Sequence, residues 1–310
     1  MEIVKVEALT KKFDQLTAVN QLSFSVLPGD VYGFLGQNGA GKSTTIRMLL
    51  TLITPTAGEI QIFGLSLLKH RKEILQQIGA VIEKPDVYKY LSAYENLTLF
   101  AKLSGIQPTR TMIMEQLEIV GLAHRANDTV KTFSQGMKQR LGIAIALVHN
   151  PQLIILDEPT NGLDPQGIAD IRNLILNLSK QYKKTVIVSS HLLSEIEQIA
   201  SRILIIDKGR KLVEDHAASL FDPSKTIIEL DTNNNEAAYN ILSNSNWGNT
   251  LQPIRNGQII LQLNKLDIPL FNQYLVSKDI AVYSLQPRHS LEDYFLQITA
   301  GKQHVEAFTN

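Results

Sequence analysis

Two short segments carry residues whose types and spacing can do chemistry. In FLGQNGAGKSTTIRMLL, Phe34 to Leu50, the residues Gly36, Gly41, Lys42 and Ser43 stand at P-loop spacing, where an apolar strand gives way to a helix. Backbone N–H groups of this turn, from Gly36 through Asn38, Gly39 and Gly41 to Thr44, together with the positive helix N-terminus, would cradle phosphate oxygens. Lys42 would reach the terminal phosphates, and the Ser43 hydroxyl would ligate Mg²⁺. An accidental glycine-rich turn is the alternative, but VYGFL reads as a buried strand and KSTTIRMLLTLI as an apolar-faced helix, the context a P-loop requires. The segment implies nucleotide binding. Switching, phosphate transfer and driven work are all open to it.

The second segment is LIILDEPTNGLD, Leu153 to Asp164. An apolar strand that delivers Asp157 at its carboxyl end is the Walker B arrangement, in which the carboxylate holds Mg²⁺ directly or through water. Glu158 follows, where a carboxylate can orient or deprotonate an attacking water. That general-base role favours hydrolysis over a kinase reaction. Taken alone, Asp157 and Glu158 would read as a strand ending in a solvated acidic turn.

Positioning these groups requires an α/β scaffold, and the composition allows one. The chain has 310 residues, 44% of them apolar, which is enough for two domains. Lys+Arg and Asp+Glu both number 30, so no basic excess points to nucleic acid or anionic lipid. With no Cys there is neither a disulfide framework nor a thiolate metal site, which fits a reducing compartment. MEIVKVEALTKKF alternates like a strand and carries charges throughout, so no signal peptide is expected. The apolar run LGIAIALV, Leu141 to Val148, falls far short of the ~20 residues that span a bilayer. A chain soluble by itself is expected.

IGAVIE, LIILD, TVIVSS and RILIID are short apolar runs separated by helices, as in a parallel sheet. A helical insert, about 90–148, lies between the first two and holds SAYENLTLFAKLSG, TRTMIMEQLEIVGL and a helix from about Ser134 to His149. Beyond about Phe221 the texture changes. A strand, the helix EAAYNILSN, a weak strand near Leu251, QIILQLN, the helix DIPLFNQYLVSKD and the strand IAVYSLQ suggest a βαββαβ, ferredoxin-like unit. The expected division is residues 1–220 and 221–310. NKLD, Asn264 to Asp267, and DPQG, Asp164 to Gly167, imitate a GTPase, but guanine recognition would need NKLD on the P-loop's own sheet, and it falls beyond the break.

GQNGAGKST, FSQGMKQR from Phe133 to Arg140, ILDEPTNGLD and SSH ending at His191 occur in the order of an ABC-transporter ATPase subunit, which the chain resembles up to about Asp215. The resemblance implies a P-loop ABC ATPase domain with a mostly parallel core sheet, an antiparallel N-terminal β part and the helical insert, followed by the small α+β C-terminal domain. It implies MgATP as the ligand. Ser134 and Gly136 fall in the signature loop, Asp164 in the D-loop, and His191 at the switch histidine that contacts the γ-phosphate; Phe13 matches the aromatic on which adenine stacks. Singly, Ser134 could N-cap its helix, His191 could be a polar residue between strand and helix, and Phe13 could be core; the four motifs in register carry the likeness. The signature departs from the usual form at Gln135 and Met137, yet it keeps the polar Ser134 and the small Gly136 that a backbone-mediated phosphate contact needs.

In the family, the signature of one subunit meets the P-loop of another, so the resemblance implies a dimer, most simply a C₂ homodimer. Closure of such a dimer can serve transport, DNA repair or translation. Long coiled-coil insertions and a second cassette, which mark the last two, are not in the sequence. A separate membrane permease is therefore implied, with the chain cytoplasmic and peripheral on the inner face of the membrane and no nucleic-acid partner. The permease would dock near Lys84 to Asn96, where Tyr88, Tyr90, Leu91 and Tyr94 offer amphipathic surface, unless these aromatics pack the insert instead. Glu83 stands where most transport ATPases have a glutamine that touches Mg²⁺ and the attacking water. IGAVIEKPDVYKYLSAYENL is similar to the corresponding stretch of lantibiotic-immunity and bacitracin-resistance exporters, in which glutamate replaces that glutamine; alternatively, Glu83 is a solvated strand end beside Lys84. PRHSLEDYFLQIT resembles the close of the C-terminal extension on ATPases of type 2 exporters. Self-protection against a peptide antibiotic is the implied function. Alternatives are another type 2 exporter, for drug, lipid or polysaccharide, or a soluble non-transport ATPase.

Overall fold

The structure, a computed structural model, describes residues 2–220, 224, 226–255 and 257–288. The run PRHSLEDYFLQIT falls outside them from His289 onward. The described residues form two compact units that divide between Ala217 and Ala218.

The first unit opens with β1 (Val4–Phe13), β2 (Leu16–Val26) and β3 (Val31–Leu35), then α1 (Lys42–Leu49), β4 (Ala57–Ile62), β5 (Leu65–Ser66), α2 (Arg71–Leu75) and β6 (Ile78–Val81). The helical insert follows as α3 (Ala93–Leu103), α4 (Arg110–Ile119) and α5 (Gln135–Leu147). β7 (Leu153–Leu156), α6 (Pro165–Lys180), β8 (Thr185–Ser190), α7 (Leu193–Glu197), β9 (Arg202–Asp207) and β10 (Arg210–His216) complete it, and α8 (Ala217–Leu220) leads out. Strands β2-β1-β4-β5 make an antiparallel sheet, and β10-β9-β3-β8-β7-β6 a second sheet that is parallel from β9 to β6. Every residue of β3, β7 and β8 is buried. Their continuous apolar runs suit strands covered on both faces, and each fully buried Leu or Ile contributes about 1.5–3 kcal/mol.

A polar network crosses this apolar setting. The Tyr32 hydroxyl donates to Glu214 Oε1 at 2.8 Å, and Arg202 reaches both Glu214, at 3.4 Å, and the Ser25 carbonyl, at 3.0 Å. It ties β2 of the antiparallel sheet to β3, β9 and β10 of the parallel one. Burial, reinforced by the Glu214 carboxylate, pushes the Tyr32 phenol pKa far up, so it stays a donor.

In the insert, α3 begins with a capping box: Ser92 Oγ accepts from Glu95 N–H and Glu95 Oε2 accepts from Ser92 N–H. The Ser92 N–H first, and the Ser92 hydroxyl after it, hold the Glu95 carboxyl below its ordinary pKa. Helix α5 ends at Leu147, two residues short of the expected His149, and His149 is used differently. Its Nε2 lies 3.0 Å from the Ile78 carbonyl, fastening the end of α5 to the start of β6.

The second unit contains β11 (Thr226–Thr232), α9 (Asn235–Ser243), β12 (Leu251–Arg255), β13 (Gln258–Leu263), α10 (Ile268–Ser277) and β14 (Val282–Arg288). The sheet order β12-β13-β11-β14, antiparallel throughout, is the ferredoxin-like topology. Its core includes Ile228, Leu230, Ile259, Leu261 and Phe271. NKLD lies in this unit, where Asn264 Oδ1 accepts from Leu266 N–H and caps the turn into α10. It is a local cap, remote in the chain from the P-loop sheet.

Burial holds the His149 imidazole below its ordinary pKa of 6.5, against the opposing pull of the Ile78 carbonyl. The unfolded chain therefore takes up this proton more readily than the folded one, and stability contributed above 6.5 is lost as the pH falls towards the folded value. His149→Gln, which keeps a donor for the Ile78 carbonyl, is expected to flatten the decline in urea midpoint between about pH 7.5 and about pH 5.5.

Candidate functional site

The parallel sheet brings the two chemical segments together. Neighbouring strands β3, β8, β7 and β6 run in the same direction, so their carboxyl ends line up along one edge. Beyond β3 comes the P-loop, beyond β8 comes His191, beyond β7 come Asp157 and Glu158, and beyond β6 comes Glu83. Such an edge is where open parallel sheets take their ligands.

The loop between β3 and α1 is shaped for close backbone approach. Gly41, the N-cap of α1, has φ +104°, and a Cβ there would stand 2.6 Å from the Ala18 carbonyl oxygen, so only glycine fits. Gly39 also has positive φ, +82°, but faces open space, leaving the turn uncovered where a phosphate would sit. Gly36 N–H donates to the Ser190 carbonyl at 3.3 Å, pinning the start of the loop beside His191. Asn38 is exposed, whereas Ser43, Thr44 and Arg47 share the partly exposed face of α1.

Lys42 is 5% exposed, and its ammonium donates to the carbonyls of Gly36 at 2.7 Å and Gln37 at 3.2 Å. Glu158 Oε1 lies 3.1 Å from the same nitrogen, an ion pair without hydrogen-bond alignment. The other Glu158 oxygen meets His191 Nδ1 at 2.8 Å. Glu158 thus stands between Lys42 of the loop and His191, its backbone held at φ +48°. Its amide donates to Ser189 Oγ at 2.8 Å, and that hydroxyl donates on to Asp157 Oδ1 at 2.6 Å. Asp157 is 2% exposed, and its N–H donates to the Val81 carbonyl.

Among the described residues no cluster of three or more His, Asp or Glu side chains could hold a metal ion by protein alone. Mg²⁺ takes one or two carboxylates and shares the rest of its shell with substrate phosphates and water. Asp157, with one oxygen oriented by Ser189, and Ser43 at the head of α1 are suitable hard-oxygen donors.

The remaining expected residues fall into two groups. Ser134 does cap its helix, Oγ accepting from Met137 N–H at 3.2 Å, and Asp164 caps α6 by accepting from Gly167 N–H at 2.9 Å. A Cβ on Gly136 would meet only Gly167 Cα, at 3.7 Å, so signature and D-loop lie side by side. Among the described residues no hydrogen bond or ion pair joins Ser134 or Gly136 to the P-loop. Phe13 is 42% exposed, with the Lys11 ammonium 4.8 Å from its ring centre, so it is not core. Strand β6 stops at Val81, short of the expected end at Glu83, which adopts φ +58° and pairs with Arg47.

Sequence reading passed over three contributors. Ser189 holds the Asp157 carboxylate and the Glu158 amide, Arg47 engages Glu83, and Glu195 accepts from the Thr160 and Ser190 hydroxyls at 2.8 Å each. Ser189 had a signal, its place one residue before Ser190 at the end of β8; Arg47 and Glu195 had none beyond helix position.

The loop from Lys84 to Asn96 is fastened internally by Asn96, whose side chain bonds Tyr88 N–H, the Tyr88 carbonyl and the Ser92 carbonyl. Lys131 N–H donates to the Lys89 carbonyl and Val130 N–H to that of Leu91, tying the loop to the segment just before Ser134. Tyr88 approaches Phe100 and Tyr94 approaches Arg110, whereas Tyr90 is 85% exposed.

Comparison with known proteins agrees with this architecture. The sequence profile of the ABC transporter family matches residues 19–161. The bacitracin transport ATP-binding protein BcrA of Bacillus licheniformis is 43% identical over 96% of this chain and 98% of its own length. The chain belongs to the ABC transporter family. It is an ATP-binding, ATP-hydrolysing subunit. The lantibiotic transport ATP-binding protein SrtF of Streptococcus pyogenes is 40% identical over 74% of this chain and 96% of its own. Among solved structures, a dimeric, post-hydrolysis state of the ATP-binding cassette MJ0796, bound to ADP and Pi, matches at TM-score 0.62 and 27% identity, over 69% of this chain and 98% of that one.

Lys42→Ala deletes the one charge in this ATPase aimed from α1 into the loop. It is expected to weaken binding of a fluorescent ATP analogue about tenfold or more, as loss of charge-assisted contacts to phosphate does. Equilibrium titration of wild type and variant checks it.

Proposed function

We propose that this chain is the ATP-hydrolysing subunit of an exporter that removes a peptide antibiotic of the bacitracin or lantibiotic type. The observation that carries the reading is the 43% identity to a bacitracin transport ATP-binding protein, which runs through both units and not the cassette alone. The match to a lantibiotic transport ATP-binding protein supports the same substrate class.

In this reading Gly36, Asn38, Gly39, Gly41, Lys42 and Thr44 hold the phosphates of ATP, and adenine stacks on Phe13. Ser43, Asp157 and Glu83 hold Mg²⁺, which supplies charge neutralisation at the phosphates. Glu158 orients and deprotonates the attacking water, His191 fixes the Glu158 carboxylate through its 2.8 Å contact, and Lys42 and His191 face the γ-phosphate. Ser134, Gly136 and Asp164 serve the partner copy's nucleotide, because their place beside α6 leaves them without contact to their own P-loop. A homodimer follows, consistent with the dimeric cassette MJ0796.

Among the described residues no helix is long and apolar enough to cross a membrane. The family match and the transport ATP-binding relatives support a separate permease, with this chain peripheral to it. Docking is assigned to the Lys84–Asn96 loop. Tyr90 is the most exposed aromatic there, and the Lys89 and Leu91 carbonyls connect the loop to the signature segment.

Glu158→Gln is expected to bind MgATP yet hydrolyse it at least about a hundredfold more slowly, so that ATP-loaded dimers accumulate on gel filtration. Wild-type turnover would remove Glu158 from the role. Co-expressed with its membrane partner in a sensitive host, the wild type is expected to raise the inhibitory concentration of bacitracin or a lantibiotic, and Glu158→Gln to abolish the gain. Resistance to an unrelated drug alone would favour another type 2 exporter. Tyr90→Asp is expected to shift the chain from membrane to soluble fraction while its melting profile is unchanged.

A further inference from the structure

Glu83 is not a free strand end. Its carboxylate pairs with the guanidinium of Arg47, although its side chain is 66% exposed and has water as an alternative partner. Arg47 lies four residues after Ser43 on α1, so the two share a face, about 6 Å apart along the helix axis. Glu83 is brought there by β6: Val81 pairs with Leu156, the Val81 carbonyl accepts from Asp157 N–H, and Glu83 follows two residues later. One guanidinium therefore holds this carboxylate a single helical turn from Ser43 and beside the strand that carries Asp157.

We propose that Arg47 is a positioning residue that competes with Mg²⁺ for Glu83 and so sets the metal affinity of the ATP site. The inference rests on the reading of Glu83 as a metal ligand. A carboxylate that neutralises a guanidinium is a weaker ligand for a cation, and the two positive partners repel each other across it, so metal capture weakens the Arg47 pair. A glutamine at position 83 would be a weaker partner for Arg47 as well as a weaker ligand, since it lacks the charge that strengthens both contacts. The arginine thus tempers the gain in metal affinity that a glutamate brings. Because the pair is exposed, the competition is mild, in the range of exposed ion pairs.

The test is Mn²⁺ binding, read by electron paramagnetic resonance of the free ion, to ATP-loaded protein carrying Glu158→Gln to stop turnover. Arg47→Gln in that background is expected to tighten Mn²⁺ about two- to fivefold, the range an exposed ion pair supplies. Arg47→Lys, which keeps the charge but not the planar fork, is expected to fall between. Glu83→Gln is expected to weaken Mn²⁺, and adding Arg47→Gln to it is expected to change nothing further. If Glu83→Gln weakens the metal but Arg47→Gln leaves it unchanged or weaker, the competition is overturned while Glu83 stays a ligand. If Glu83→Gln has no effect, the ligand reading itself falls, and the competition with it. An equal effect of Arg47→Gln with glutamate or glutamine at position 83 would mean that Arg47 acts on the phosphates directly, which also overturns the proposal.

Discussion

Glu158 sits where three strands' ends meet, its two carboxylate oxygens divided between the Lys42 ammonium and the His191 ring. The rest of the cassette can be understood as what is needed to hold that carboxylate between those partners. Lys42 must come from the loop after β3, His191 from the end of β8 and Glu158 from the end of β7, so the strands must be parallel and adjacent. Their continuous burial makes that arrangement stable, and the Ser189 hydroxyl, bonded to both Asp157 and the Glu158 amide, sets its fine geometry.

A charge cluster with little exposure to water needs its partners on the spot. Lys42, 5% exposed, is neutralised by Glu158 and supplied with two carbonyl acceptors from its own loop. The negative phosphates of ATP exchange naturally with a carboxylate at such a site. The same exchange logic applies on the outer face of α1, where Arg47 and Glu83 pair one turn away from Ser43. In the function proposed, nucleotide and metal enter a site whose charges are already matched.

The helical insert connects this chemistry to the surface. The Lys84–Asn96 loop leaves β6 just past Glu83 and is clamped by Asn96. It is then bonded through Lys89 and Leu91 to the residues that precede Ser134. His149 fastens the far end of the signature helix back to β6 at Ile78. If a membrane partner docks on this loop as proposed, a force applied there would be felt both at Glu83 and at the start of α5, since neither link passes through a long side chain.

By itself the sequence determined the scaffold and the chemical roll: apolar runs of strand length, three insert helices, the P-loop glycines, and the order of Lys42, Asp157, Glu158 and His191. These are local or periodic properties, visible because backbone conformation and burial follow from neighbouring residues. The βαββαβ order of the second unit was legible for the same reason. Tertiary structure alone decided which side chains touch: Ser189 with Asp157, Lys42 with Glu158, Arg47 with Glu83, Glu195 with Thr160. Each pair joins residues far apart in the chain, and residue type cannot tell which of many possible charges or hydroxyls a fold will bring within 3 Å. Glu83 shows the difference most plainly. The sequence marked it as a glutamate in a glutamine's place, but only the tertiary structure, which brings the residues after β6 to Arg47 on α1, gave it an arginine for a partner.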